Sequence, residues 1–372
     1  MLNYEYPPLG GGAGNATLYL LKEFCRQNDF FIDLVTSSPD QSYVKSLSDK
    51  VRIHGLNINK HNHNLQHQSY RDLLTYSWRA NKYIRTLHHG NNFDFVHSFF
   101  AVPCGIVAER LNKPQIISLR GTDVPGHNPK FRLAYSILHP FIKRVFRNAN
   151  IIAANSDDLK NEALNFEQRQ YEIIPNGVDL DFYSPFLERP SDFRILYVGR
   201  LHAVKNIPIL IEAFAKFVSA GVPNAKLTLT GDGPELLALK RQVQKLGLEQ
   251  AVNFTGHLSK DRLRDEYRNC SVFTLLSAGE GMSNTLLEAM ACGTPILTTR
   301  TGGAAQLVDA SNGWIVSEAN TATVSEAIKL IYQSRAVLQS MGQASRAKAE
   351  TLSWANTAKQ YANLYHRMYE LA

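Results

Sequence analysis

Short apolar runs alternate with helix-length segments along nearly the whole of this chain, and that alternation constrains the fold more than any single motif. In the first half the strand-like runs are Phe30–Thr36, Val51–Leu56, Phe93–Phe99, Gln115–Leu119, Ile151–Ala154 and Tyr171–Ile174. Helical patterns such as Ala16–Gln27, Tyr70–His88 and Phe131–Arg147 lie between them. In the second half the runs are Arg194–Val198, Lys226–Thr230, Val252–Thr255, Cys270–Leu275, Pro295–Thr299 and Trp314–Val316, with helices at Ile207–Ser219, Glu235–Leu246 and Lys260–Arg268. A buried run followed by a crossover helix is the unit of a parallel sheet. The pattern occurs twice, and 372 residues are too many for one ordinary core. We therefore expect an α/β protein of two doubly wound, Rossmann-like domains. The stretch around Asn176-Gly177, Pro185 and Pro190 reads as the linker. Trp354, Tyr361, Leu364, Tyr365, Met368 and Leu371 place an apolar face on a last helix, which needs a surface to cover.

One irregularity stands at the start. Only Met1–Tyr6 precede Pro7-Pro8 and a glycine-rich loop, so either the opening strand is very short or residues precede this numbering. The excess positive charge of +7 is diffuse and accompanies no nucleic-acid motif. No apolar run reaches the ~18 residues that would span a bilayer, and no basic-then-apolar signal segment opens the chain. Cys25, Cys104, Cys270 and Cys292 fall at no metal-like or redox-like spacing, which suits a reduced, cytoplasmic protein.

The chemistry concentrates at strand ends. Gly10-Gly11-Gly12-Ala13-Gly14 opens a helix, but Thr17 stands where a dinucleotide fingerprint has its last glycine, so a tight structural turn explains it equally well. Arg200 and Lys205 follow a strand and suit a diphosphate, or form a solvated basic loop. Gly231-Asp232-Gly233-Pro234 and Gly256-His257-Leu258 are further strand-end turns. Ser277–Pro295 carries two carboxylates, Glu280 in a glycine-flanked loop and Glu288 on an apolar helix, beside a helix start with free backbone N–H groups. Two acids beside a phosphate site make sense if they serve hydroxyl groups, and a nucleotide sugar supplies both hydroxyls and phosphate.

These residues resemble the retaining family 4 glycosyltransferases of GT-B fold (glycosyl transferases group 1). The matching motifs are Gly199-Arg200-Leu201, Lys205-Asn206, Gly231-Asp232-Gly233, the Glu280/Glu288 pair with Gly281, Pro175-Asn176-Gly177-Val178-Asp179, and Tyr6-Pro7-Pro8 with the glycine loop. The resemblance implies two domains facing a central cleft, residues 1–184 for the acceptor and 185–353 for the nucleotide sugar, with residues 354–372 crossing back to the first. It implies that Arg200 and Lys205 hold the diphosphate, Glu280 the transferred sugar and Glu288 the ribose. Gly281, Met282, Ser283, Asn284 and Thr285 would cap sugar and phosphate, while Gly231, Gly256, His257 and Leu258 line the nucleotide. Gly11 and Gly12 would approach the diphosphate from the other domain. Many relatives carry a histidine where Arg120 precedes Gly121-Thr122-Asp123; Arg120 would bind phosphate or an anionic acceptor, or pair with Asp123.

The implied reaction is retaining transfer from a nucleotide sugar, UDP-linked by expectation, to a glycan or lipid-linked acceptor in cell-surface polysaccharide or glycolipid synthesis, with no metal and no cofactor. A nucleotide-sugar epimerase or a phosphorylase on the same architecture, and a non-catalytic binding subunit, are the alternatives; an incomplete glycine loop disfavours a dehydrogenase. Lys130–Arg147 carries five cations, no acid and many apolar residues. It reads either as a segment on an anionic membrane, placing the protein on the inner face, or as a core helix with solvated cations. Pro140 is expected to interrupt or start that helix.

Overall fold

The computed structural model describes residues 1–27, 29–60, 65, 68–121, 124, 132–186, 192–222, 224–279 and 281–371, with the backbone alone over 132–137. It divides into two compact units, Met1–Gly177 with Trp354–Ala372, and Val178–Ser353. The division falls at the glycine of Asn176-Gly177, seven residues before the end of the first domain expected from sequence.

In the first unit the strands are β1 Ile32–Ser38, β2 Tyr43–Ser46, β3 Val51–Asn57, β4 Val96–Phe99, β5 Gln115–Ser118, β6 Ile151–Ala154 and β7 Glu172–Ile173. They pair in the orders β1-β3-β2 and β4-β5-β6-β7, parallel throughout except for β2 on β3. Leu2 joins the two sets. Its amide donates to the His97 carbonyl at 2.8 Å and its carbonyl accepts from Phe99 N–H at 2.8 Å, while Val35 N–H reaches the Met1 carbonyl at 3.0 Å. Leu2 thus bridges β1 and β4 as a single strand-like residue. The exposed edge strand β2 had no apolar run to announce it.

The last helix, Trp354–Tyr369, belongs to the first unit, although the whole second unit precedes it in sequence. Tyr361, Leu364, Tyr365 and Met368 are buried in the first unit's core. Trp354 stacks on Tyr19 of the Gly12–Gln27 helix, with centroids 5.5 Å apart. Burial of such a face is worth roughly 25 cal/mol per Å² of apolar surface, which favours the packed position of the segment.

The helix over Arg132–Asn148 runs through Pro140 and does not stop there. His139, Pro140 and Phe141 all face solvent, so the carbonyl left without a partner by proline can be hydrated. Its described cations are not free. Arg144 forms an ion pair with Glu109 at 2.6 Å, and Arg147 and Lys143 reach Glu167 at 3.1 and 3.8 Å. The acids that the segment itself lacks come from neighbouring elements.

The second unit holds β8 Arg194–Val198, β9 Lys226–Thr230, β10 Val252–Gly256, β11 Val272–Leu275, β12 Ile296–Thr299 and β13 Gly313–Val316. All are parallel, in the order β10-β9-β8-β11-β12-β13. The chain therefore starts in the middle, moves outward through β9 and β10, and returns to the other side of β8 at β11. That reversal is the topological switch point, where parallel sheets open a crevice beyond the carboxyl ends of the strands.

Candidate active site

The loops after β8 and β11 flank this switch point, and they are the loops that carry the sequence motifs. Backbone hydrogen bonds stitch the strand-end loops into a continuous rim. Gly231 N–H donates to the Gly256 carbonyl at 2.9 Å, and Gly199 N–H to that of Thr230 at 3.0 Å. Leu201 N–H donates to Asp232 at 2.9 Å, and Ala278 N–H to Val204 at 2.8 Å. Gly303 N–H donates to Gly281 at 3.1 Å. The Asn206 side chain adds a donor to the Leu276 carbonyl at 2.8 Å. The motif Lys205-Asn206 thus pairs a cation on the rim with an amide that pins the β8 loop to the β11 loop.

Two glycines are required by this stitching. A Cβ on Gly231, at φ +126°, would run into the Gly199 carbonyl oxygen, and one on Gly233 into that of Leu201. Gly-Asp-Gly-Pro is therefore first a packing motif that lets two loops meet backbone to backbone.

Arg200 is exposed at the end of β8, and its guanidinium has no partner among the described residues. The Tyr197 hydroxyl fixes its backbone by donating to the Arg200 carbonyl at 2.9 Å. Lys205 closes a single 3₁₀ turn, Ala203–Lys205, and is partly exposed. His257 is exposed and Leu258 partly so, beyond an irregularity in β10 between Phe254 and Gly256.

After β11 the helix Asn284–Ala291 begins at Ser283, whose Oγ accepts from Leu286 N–H and lies 3.0 Å from Thr285 Oγ1. Asn284 and Thr285 are partly exposed at this start, whereas the Met282 side chain is buried and packs on Gly303. The Met282 side chain is therefore a packing group at the foot of the loop. Glu280 lies outside the described residues, as does Asp123.

Glu288 lies on the first turns of that helix. The buried Tyr267 donates its hydroxyl to Glu288 Oε2 at 2.9 Å. Burial pushes the Glu288 carboxyl up to about 7, against the hydrogen bonds from Tyr267 and Tyr183 and the more distant Lys260, which favour the anion. Neither tyrosine was foreseen from sequence. They sit on separate elements, and no local spacing connects them to Glu288.

Two family models divide the chain between them. The family described as Glycosyltransferase Family 4 matches residues 10–182, and Glycosyl transferases group 1 matches residues 183–348. The chain is a family 4, group 1 glycosyltransferase. Among its relatives is N-acetyl-alpha-D-glucosaminyl L-malate synthase of Bacillus anthracis, 25% identical over 303 residues, covering 74% of this chain and 75% of that protein. An uncharacterized glycosyltransferase of Methanocaldococcus jannaschii is 24% identical over 374 residues, covering 99% and 97%. The fold is GT-B. Sucrose-phosphate synthase from Thermosynechococcus elongatus superposes with a TM-score of 0.84 at 21% identity, covering 100% of this chain and 98% of that one. Anabaena HepE, solved in complex with UDP-glucose, superposes at 0.74 with 18% identity, covering 98% of each.

In the first unit of this glycosyltransferase, Gly11 N–H donates to the Glu5 carboxylate at 3.1 Å. A protein carboxylate thus sits where the glycine loop was expected to meet a diphosphate, at a helix start that favours negative charge. Arg120 is also engaged. Its guanidinium donates to Asn176 Oδ1 at 2.7 Å and lies 4.7 Å from the centre of the Phe99 ring, with Tyr361 Oη at 3.5 Å. Arg120 therefore ties the end of β5 to the linker motif and to the last helix. Behind it, His97 bridges the Tyr365 hydroxyl at 2.6 Å and Ser118 Oγ at 2.7 Å. Burial holds its pKa well below the usual histidine value, with the N-terminal amine and Arg120 adding to the shift, so this histidine is a neutral core residue.

Proposed function

We propose that this glycosyltransferase moves a sugar, with retention, from a UDP-sugar to a glycan or lipid-linked acceptor in cell-surface polysaccharide or glycolipid synthesis. The observation that carries the reading is the placement of Arg200, Lys205, the Asn284–Ala291 helix start and Glu288 on the loops and helix that flank one switch point. HepE, of the same fold, is described with UDP and UDP-glucose, which supports a UDP-linked donor.

In this reading Arg200 and Lys205 neutralise the diphosphate, and the N–H groups at the Asn284–Ala291 helix start add fixed positive potential. Glu288 accepts from the ribose hydroxyls, held by Tyr267 and Tyr183. Glu280 takes hydroxyls of the transferred sugar, as the family resemblance implies. The acceptor oxygen bonds to the anomeric carbon on the face from which the phosphate oxygen departs. The departing phosphate keeps the bonding electron pair and receives the acceptor's proton. Positioning and electrostatics carry the step.

The test is thermal unfolding in the presence of UDP-, GDP- and ADP-sugars. A ligand at a hundredfold its Kd adds ~2.7 kcal/mol, so UDP-sugars should raise Tm and the others should not. A response to GDP-sugars alone reassigns the base. Conversion of a UDP-sugar into its epimer without acceptor supports the epimerase instead. As a second prediction, Lys205→Ala should keep the fold and lose about 2–4 kcal/mol of transition-state stabilisation, read as kcat/KM. A normal kcat would remove Lys205 from the mechanism.

A further inference from the structure

We infer that the outward face of the Tyr70–Asn91 helix is a docking surface for an anionic lipid bilayer. The helix is 22 residues long and packs inward through Asp72, Tyr76, Ala80 and Ile84. The Tyr76 hydroxyl locks this orientation by donating to the Val35 carbonyl of β1 at 3.0 Å. A helix fixed in this way cannot rotate to bury its other side.

On that other side Tyr70, Leu74 and Trp78 recur every four residues, on one stripe of the helix. They are 59%, 71% and 68% exposed. A single exposed apolar residue needs no explanation, but three large ones in line are a contiguous patch. Trp is the side chain best suited to a membrane–water interface, with an apolar ring and one polar N–H.

The charges around the stripe select the partner. Arg71, Lys82 and Arg85 are exposed on the same side, and none forms an ion pair with a described residue. The one acid of the helix, Asp72, points inward and is paired with the buried Lys60 at 3.0 Å. The result is an apolar stripe bordered by uncompensated cations, the arrangement that binds anionic lipid headgroups and inserts shallowly. The Arg132–Asn148 helix makes the contrast, because its described cations are spent on Glu109 and Glu167. A second copy of this chain fits poorly, since a two-fold contact through this face would set its cations against themselves.

Co-sedimentation tests the surface with vesicles of phosphatidylcholine, pure or mixed with phosphatidylglycerol. The protein should bind only the mixed vesicles, binding should weaken with salt, and Trp fluorescence should shift to the blue. Leu74→Ser/Trp78→Ser and Lys82→Glu/Arg85→Glu should each reduce partitioning by at least ~tenfold. Both should unfold at the wild-type temperature, because the replaced side chains face solvent. Phe141→Ser, on the exposed side of the other basic helix, should bind as wild type. Three results would overturn the inference: no binding at low salt, undiminished binding by both double variants, or loss confined to Phe141→Ser. Self-association abolished by the same variants without vesicle binding would overturn it too, in favour of a dimer face.

Discussion

At the scale of single residues, Glu288 is where stability and function pull apart. Its carboxyl titrates in the folded protein near 7, against an ordinary value of 4.5. The folded state therefore holds the proton more tightly than the unfolded chain between those values. Stability contributed by the protonated form is complete below about pH 4.5 and falls away as pH rises through 7, by up to roughly 3 kcal/mol at 1.36 kcal/mol per unit. Glu288→Gln should thus raise Tm above pH 7, where the buried anion is costly, while weakening the donor. In the proposed binding mode the ribose hydroxyls donate to the anion, so donor binding should release a proton and weaken about tenfold per pH unit below 7. A nucleotide sugar is the right probe, because its diphosphate diester does not titrate in that range. Calorimetry at pH 6 and 8, in buffers of different ionisation heat, would show the proton; a pH-independent Kd would remove Glu288 from the ribose. Glu5 makes a second residue-scale case. Its carboxylate accepts from Gly11 N–H at 3.1 Å, so Glu5→Ala should lower stability by about 1 kcal/mol, read as a lower Tm. An unchanged Tm would show that the bond adds nothing to the turn.

Elements carry a different kind of information. The Tyr70–Asn91 helix starts with a capping box, Ser69 Oγ accepting from Asp72 N–H and the Asp72 carboxylate from Ser69 N–H at 2.9 Å. Burial pushes the Asp72 pKa up, and the bonds from Ser69 and Lys60 more than reverse that, leaving it below the usual carboxylate value. Removing one partner strands the other's buried charge, at a cost of about 3–5 kcal/mol. Lys60→Ala should therefore lower the denaturation midpoint strongly, and Lys60→Met/Asp72→Asn, which keeps an oxygen to cap Ser69 N–H, much less; equal losses would show that a stranded Asp72 charge is not the cause. Many helices and parallel strands were legible in sequence because their buried positions recur at a fixed spacing, so Arg194–Val198 and Lys226–Thr230 are found with unchanged limits although each opens on a cation. What was illegible depended on partners. Leu2 is a strand only because β1 and β4 stand on either side of it, and exposed β2 has no pattern of its own. Pro140 misled because solvent, not sequence, decides whether a lost hydrogen bond can be tolerated.

Over the whole molecule, the switch point could be inferred only in outline. The alternation promised parallel sheets, but the order β10-β9-β8-β11-β12-β13 follows from packing across the sheet. It is this order that brings Lys205 and Ala278 into neighbouring loops, 73 positions apart in the printed sequence. The motif residues were visible because their spacing is local, as in Glu280 and Glu288. The supports of the site were not, because Tyr267 and Tyr183 lie far from Glu288 in sequence. The last helix shows the same principle. Its apolar face was readable from spacing but its destination only from the family resemblance, and cutting the chain after Ser353 should strip the first unit's core while sparing the second. Limited proteolysis of that truncation should leave a stable Val178–Ser353 fragment, and equal digestion of both units would refute the assignment. The central claim is that a nucleotide diphosphate binds on the β8 and β11 loops of the second unit. Calorimetric titration of UDP into the wild type and into Arg200→Ala/Lys205→Ala tests it most directly. Saturable binding weakened at least ~100-fold in the variant is the predicted result, about 2.7 kcal/mol, and equal UDP affinity in the two proteins would contradict it.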